Sequence, residues 1–375
     1  MKKVLIVATV VKKHIMQFHI PTLEMFKRRG WETHVAGGND YSVPSDCRIP
    51  HCDVYHEIDF ARFPFHPKNI AAYIKLKKII NEGNYDLIHC HTPVGGILTR
   101  LGARKARRRG TKVFYTAHGF HFFKGAPLLN WLLYYPAEWL CSFMTDVLIT
   151  INEEDYKLAK KSFHAKSISR ISGVGVDTKK IHNAEGCSLH SEIGAEASDT
   201  LLLSVGEVRE LKNHKTIIKA MEKLGDKSIH YLIVGEGEEK EELISLAEEL
   251  GLQENVHLLG YRADIHSLIK ECDVFCFPSY REGLSVALME AMAGALPVVA
   301  SRIRGNVDLV DEGKGGFLYH PDDIEGFAEG IGRLCKEKLT ATEMAEHNKE
   351  KIKAYDINIV CEKLKQIYRE NGVAL

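Results

Sequence analysis

Glu282 and Glu290 stand eight residues apart in Glu282-Gly-Leu-Ser-Val-Ala-Leu-Met-Glu290. That spacing places one carboxylate on a turn and the other inside the helix into which the turn opens. Between them, Gly283 lets the backbone come close to a ligand, and Ser285 is positioned to cap the helix start. Free N–H groups at a helix N-terminus attract anions such as a diphosphate. Carboxylates would repel phosphates, so the two glutamates are left to accept hydrogen bonds from sugar and ribose hydroxyls. The segment predicts a site built for a nucleotide-sugar.

Such a site needs a scaffold. The chain has 375 residues, 45% of them apolar and 27% charged, which suits two α/β domains of an ordinary globular protein. No apolar run reaches the ~18 to 20 residues of a membrane span. The start, Met1-Lys-Lys-Val-Leu-Ile-Val-Ala, is like the head of a signal peptide, but Lys12, Lys13 and His14 end the apolar stretch early. It reads as a first buried strand. Nine cysteines without a C-x-x-C pair fit reduced thiols in a cytosol. The zero net charge conceals a split: residues 1–175 hold 26 Lys and Arg against 14 Asp and Glu, and the remainder holds 24 against 36. A first half of +12 against a second of −12 points to an anionic partner on the N-terminal side.

Short apolar runs alternate with segments of helical length. Lys3–Thr9, Glu32–Ala36, Leu87–Cys90, Val113–Ala117 and Val147–Thr150 predict one set of buried strands. Leu201–Val205, His230–Val234, Val256–Leu259, Val274–Phe277 and Pro297–Ala300 predict a second. The alternation implies βαβ units and parallel sheets. Gly173 and Gly175, followed by polar residues 178–198, suit a hinge, so residues 1–177 and 178–355 form two domains with a linker over about 172–198. Residues 356–375 carry an amphipathic helix candidate. Neither half has G-x-G-x-x-G after its opening strand, which disfavours a dinucleotide oxidoreductase. Gly235-Glu-Gly237 is too acidic in its surroundings for pyrophosphate and reads as a tight turn.

Four segments in order, Ser204-Val-Gly-Glu-Val-Arg-Glu-Leu-Lys-Asn-His214, Leu232-Ile-Val-Gly-Glu-Gly237, Val256–Gly260 and Phe277-Pro-Ser-Tyr-Arg-Glu-Gly-Leu-Ser285 with Glu290, resemble glycosyltransferase family 4. More loosely, Ala8–Pro21, Asp86–Gly96 and Tyr115–Gly125 are similar to the acceptor domains of bacterial exopolysaccharide and capsule members. The resemblance implies a retaining enzyme of the GT-B fold, two Rossmann-like domains facing a central cleft. It also implies that the terminal helix packs back on the first domain.

On that resemblance Lys212 lies against the donor diphosphate, where a cation stabilises the departing charge. The family's arginine after Gly206 is replaced by Glu207, and Arg209 is the candidate to supply the missing charge. Glu290 resembles the ribose ligand and Glu282 the carboxylate beside the donor sugar. Gly283, Leu284 and Ser285 would offer backbone N–H groups, and Tyr261 with Arg262 occupies the place of the base. His118, at the carboxyl end of a strand, is favourably located for a ligand, and the resemblance sets it near the reacting centre. His118, Lys212 and Glu282 are thus the catalytic candidates. His89, His91 and His121 do not complete a metal site of recognisable spacing, so no metal and no cofactor is expected; His91 is assigned to the acceptor side of the cleft.

The basic excess concentrates in Arg104, Lys105, Arg107, Arg108 and Arg109, followed by an aromatic and leucine-rich stretch containing Phe122, Phe123 and Trp131. Aromatic and apolar groups beside basic ones suit an interfacial helix on anionic lipid. No nucleic-acid motif accompanies the charge. The expected partners are a UDP-sugar, a polyprenyl-diphosphate-linked sugar acceptor and an anionic membrane surface, with the protein peripheral on the inner face of the cell membrane. The expected reaction transfers a hexosyl or N-acetylhexosaminyl unit without a divalent metal. Two alternatives remain at this level: a UDP-sugar epimerase of the same fold, and a non-catalytic partner of an active transferase.

Overall fold

A computed structural model describes residues 1–61 and 63–375. The chain divides into two compact units, Met1–Val174 with Val360–Leu375 and Gly175–Ile359. The first is built on seven parallel strands: β1 (Lys3–Val10), β2 (Glu32–Gly38), β3 (Val54–Glu57), β4 (Leu87–His91), β5 (Lys112–Ala117), β6 (Val147–Thr150) and β7 (Ser167–Arg170). Their spatial order is β3-β2-β1-β4-β5-β6-β7. Helices cover both faces, so the central strands are apolar throughout rather than alternating. Leu5 pairs with Ile88 and Val7 with Cys90 across the β1–β4 ladder, all four fully buried.

The second unit repeats the plan with β8 (Thr200–Val205), β9 (Ile229–Val234), β10 (Val256–Gly260), β11 (Val274–Phe277), β12 (Val298–Ser301) and β13 (Gly316–Tyr319), in the order β10-β9-β8-β11-β12-β13. Leu202, Ile217, Tyr231, Cys276 and Phe327 belong to its core. In each sheet the first strand lies between the second and the fourth. The chain therefore leaves neighbouring strands in opposite directions at that point and opens a crevice beyond their carboxyl ends.

Three strands escape the apolar-run criterion. β3 (VYHE) and β7 (SISR) are edge strands with partly exposed residues, and β13 (GFLY) closes the edge of the second sheet. The polar stretch 178–198 is not an extended linker. It contains the short helices Thr178–His182 and Leu189–Ile193, with Ile181 and Leu189 buried in the second unit. Gly173 and Gly175 have positive φ, and a Cβ on Gly175 would meet the Ile357 backbone at 2.7 Å.

The helix Ile357–Glu370 buries Val360, Leu364, Ile367 and Tyr368, a spacing that puts all four on one face. Tyr368 packs edge-on against Phe26, tilts over Phe114, and its hydroxyl lies 2.5 Å from His89 Nδ1. In the same unit the helix Leu128–Ser142 is anchored from within. Glu138 pairs with fully buried Arg100 at 2.8 Å, and Arg100 also lies over the Tyr115 ring. The opposite face of this helix is apolar and outward: Leu128, Leu129, Leu132 and Leu140 are each more than half exposed. Among the described residues no helix is long and apolar enough to cross a membrane.

Candidate functional site

In the second unit the crevice between β8 and β11 gathers most of the donor-site residues singled out above. β8 runs into Gly206 and a loop that ends at Lys212 and Asn213. Asn213 adopts a left-handed conformation (φ 56°), which asparagine tolerates better than most residues. Its side-chain amide donates to the carbonyls of Pro278 (3.1 Å) and Pro321 (2.9 Å). The Tyr280 amide donates to Leu211 O at 2.9 Å. These bonds hold the loop after β8 against the loop after β11. Beneath them, Tyr231 connects His214 Nδ1 to Ser204 Oγ, and Ser204 Oγ donates to Cys276 O. The loops are therefore pinned from below as well as to each other.

The consequence is a contact that sequence spacing does not reveal. Lys212 Nζ lies 2.6 Å from Glu282 Oε1, and both side chains are largely sheltered. The same ammonium lies 5.0 Å from the Phe277 ring centroid. A Cβ added to Gly206 would meet Lys212 Cε at 3.2 Å, so glycine keeps the lysine close to the strand end. The helix Val286–Ala293 starts four residues beyond Glu282, and Ser285 Oγ accepts from Leu288 N at 3.4 Å as its cap. Leu284 and Ser285 are buried beside this helix start.

Glu290 lies in the second turn of that helix, 3.6 Å from His266 Nε2. Burial raises its carboxyl pKa, while His266 and then Lys180 oppose the rise. A carboxylate in that setting lacks full compensation from protein groups and favours hydroxyl donors from a ligand. Arg209 is paired with Glu207 at 2.9 Å on the surface. Its charge is therefore already shared with the residue for which it was to compensate. Arg262 is held by Asp264 and Glu192, and Tyr261 is 77% exposed.

The expectations above do not include the wall beneath Glu282 and Gly283. Buried Arg304 donates from Nε to Glu282 O at 3.2 Å. Gly305 has φ 84°, and a Cβ there would lie 2.3 Å from Gly283 O. The available signal was an arginine and a glycine shortly after the end of β12, beyond the carboxyl edge of the sheet.

In the first unit His91 ends β4 and His118 follows β5, with His91 Nδ1 3.2 Å from His118 Nε2. Two residues that went unnamed as candidates join them. The short helical turns after β1 place His19 in a stack on His91, with 3.8 Å between ring centroids, and His14 4.8 Å from His118. His19, His91 and His118 line a small cavity together with Phe18, Ile171 and Leu364. Burial pushes the His118 pKa down to about 4 and that of His89 to about 3. His121 stands apart, stacked on Tyr134.

The basic and aromatic set separates. Arg104, Lys105, Arg108 and Arg109 are exposed, whereas Arg107 is tied to Asp146. Arg104, Arg107 and Arg108 line a shallow surface pocket with Lys166. Phe122 is fully buried in the core, and Trp131 is half-buried against it, so neither is an outward-facing anchor. The physical reason is aromatic packing: Phe122 meets Phe120, Trp131, Tyr135 and Phe163. Phe123 is half-buried. The large apolar side chains exposed on this stretch are Leu128, Leu129, Leu132, Leu140 and Phe143.

Two family descriptions match the chain: Glycosyl transferases group 1 over residues 188–351 and Glycosyl transferase 4-like over residues 3–152. EpsD of Bacillus subtilis, a glycosyltransferase by name, is 40% identical over 98% of this chain and 96% of its own length. The Escherichia coli UDP-Gal:alpha-D-GlcNAc-diphosphoundecaprenol alpha-1,3-galactosyltransferase is 29% identical over 80% of this chain and 79% of its own. HepE of Anabaena, solved in complex with UDP, superposes with a TM-score of 0.82 at 19% identity over 99% of this chain and 100% of its own. That last likeness bears on the fold.

The double hold of Asn213 generates a prediction. Asn213→Ala strands two buried carbonyls and strains a left-handed backbone position, at a cost of about 2–3 kcal/mol. Asn213→Gly relieves the backbone strain while still losing the two bonds, and falls between Ala and wild type in urea unfolding. Equal stability of all three proteins would contradict the role given to this side chain.

Proposed function

This chain belongs to glycosyltransferase family 4, and from that premise we propose that it moves a hexosyl or N-acetylhexosaminyl unit from a UDP-sugar to a polyprenyl-diphosphate-linked glycan, with retention at the anomeric carbon. The observation that carries the reading is the Lys212–Glu282 contact beside Gly206 and the start of the helix Val286–Ala293. It sets one cation, a helix N-terminus and a carboxylate within one crevice.

The donor diphosphate takes Lys212 as its counter-ion and the backbone N–H groups of Gly283, Leu284 and Ser285 as donors. Glu282, relieved of part of its ion pair, accepts from hydroxyls of the sugar. Glu290 accepts from the ribose. By the mechanism the family resemblance implies, the acceptor hydroxyl attacks on the face from which the diphosphate leaves, and a donor phosphate oxygen accepts its proton. Charge develops on the leaving diphosphate, where preorganised cations and amide dipoles act most strongly. Lys212 and those dipoles take the place of a divalent metal. The family resemblance also makes His118, at the carboxyl edge of the first sheet, a catalytic candidate.

The acceptor side belongs to the basic first unit. Outward Leu128, Leu129, Leu132 and Leu140 and exposed Arg104 and Arg108, all in the first unit, support docking on an anionic lipid surface. Each basic residue near such a surface contributes about 1 kcal/mol. The names of two relatives, from Escherichia coli and Campylobacter jejuni, contain diphosphoundecaprenol and diphospho-undecaprenol. In this reading the acceptor serves exopolysaccharide or capsule synthesis at the cytoplasmic face of a membrane.

Calorimetric titration of UDP with excess EDTA tests the donor site. Wild type binds, and Lys212→Ala binds on the order of tenfold to a hundredfold more weakly, as expected for a lost hydrogen bond to a charged group. Affinity also falls as pH is lowered toward the raised pKa of Glu290, because only the ionised carboxylate accepts both ribose hydroxyls; Glu290→Gln removes that dependence. Binding that requires a metal, or that is indifferent to Lys212, counts against the reading. For the surface, flotation with phosphatidylglycerol vesicles recovers wild type but not Leu128→Glu/Leu132→Glu, and phosphatidylcholine vesicles recover neither. Equal flotation of both proteins overturns the membrane-docking face.

A further inference from the structure

His14, His19, His91 and His118 bring one ligand nitrogen each to within 4.8 Å of one another. The cluster lies wholly in the first unit, beyond the carboxyl ends of β1, β4 and β5. Three of its nitrogens, Nε2 of His14, His19 and His91, are buried and have no hydrogen-bond partner. Orphaned buried polar atoms are uncommon in folded proteins and call for an explanation such as an ion. We propose that these four histidines form a binding site for a single transition-metal ion of the zinc class.

Several features select the ion. Four imidazoles without a carboxylate suit Zn²⁺, Co²⁺, Ni²⁺ or Cu²⁺ and not Mg²⁺ or Ca²⁺, which take oxygen ligands. Ligation needs neutral rings. An imidazole near neutral pH is mostly in that form. Zn–N bonds of about 2.0–2.1 Å place tetrahedral nitrogens about 3.4 Å apart, so modest ring rotations close the cluster. His89 forms the floor beneath His91 and is excluded as a ligand, because Tyr368 and Thr116 hold both of its nitrogens. Access is from the side of His14 and His118, which are only partly buried.

The site does not supply the metal that some transferases need for their donor, since Lys212 fills that role in the other unit. If His118 takes part in transfer, as proposed above, a bound ion withdraws it and the metal inhibits the reaction. That consequence rests on the preceding reading; the binding site does not.

Co²⁺ titration of EDTA-stripped, dialysed protein, followed by visible absorption and calorimetry, is the test. The expected result is one ion per chain with an intense tetrahedral d–d band and no thiolate charge-transfer band. His14→Gln and His19→Gln each weaken binding at least tenfold while UDP affinity stays unchanged. Circular dichroism checks that both variants are folded, and partly exposed His14 decides the matter if the buried His19 variant is not. Absence of the band, a thiolate band from one or more of the nine cysteines, or unchanged binding in His14→Gln overturns the proposal. Loss of UDP binding by wild type would instead strike the donor reading and leave this one standing.

Discussion

Two loops that belong to different strands must meet at one point, and Asn213 makes them do so. A parallel strand cannot turn back on itself, so β8 and β11 reach the same edge of the sheet only after separate crossovers. Their loops have no reason to stay together unless something joins them. The Asn213 amide, donating to Pro278 and Pro321, is that joint, and the Tyr280–Leu211 backbone bond reinforces it. The Lys212–Glu282 contact follows, and with it the convergence of a cation, a carboxylate and a helix N-terminus at the end of β8 and β11.

The two units solve the same topological problem with different chemistry. In the second, the crevice holds charged and hydroxyl-accepting groups suited to a nucleotide diphosphate. In the first, the equivalent crevice holds four imidazoles, two buried and two partly buried, beside a small cavity. The terminal helix contributes Tyr368, Val360 and Leu364 to that unit, so the floor of the histidine cluster depends on a segment nearly three hundred residues away in sequence. Charge follows the same division, with the basic excess in the first half and the acidic excess in the second.

The buried strands were legible because both faces of a central parallel strand are covered, which leaves an uninterrupted apolar run. β3 and β7 were not, because an edge strand with partial exposure carries polar residues and resembles a loop. The Glu282–Glu290 segment was readable as turn, cap and helix from local chemistry alone. The ion pair of Glu282 with Lys212, seventy residues earlier, was not, since it arises from crossover geometry. His118 was placed by its position after a strand, while His14 and His19 lay within Ala8–Pro21, a stretch matched to acceptor domains as a whole without either histidine being singled out as a candidate. The outward apolar residues illustrate a further limit. Within Phe120–Tyr135 composition suggested an interface, but only packing shows that Phe122 faces in and Leu128 and Leu132 face out.

The most direct test of the account is transfer itself, without metal. Radiolabelled UDP-hexoses and UDP-N-acetylhexosamines are incubated in EDTA with the protein and a set of undecaprenyl-diphosphate-linked sugars, and the anomeric configuration of any product is read by NMR. The account predicts a glycolipid longer by one sugar, with the α configuration of the donor retained, and its loss in Lys212→Ala. Conversion of the UDP-sugar to an epimer, an inverted linkage, or UDP binding with no transfer to any acceptor would contradict it.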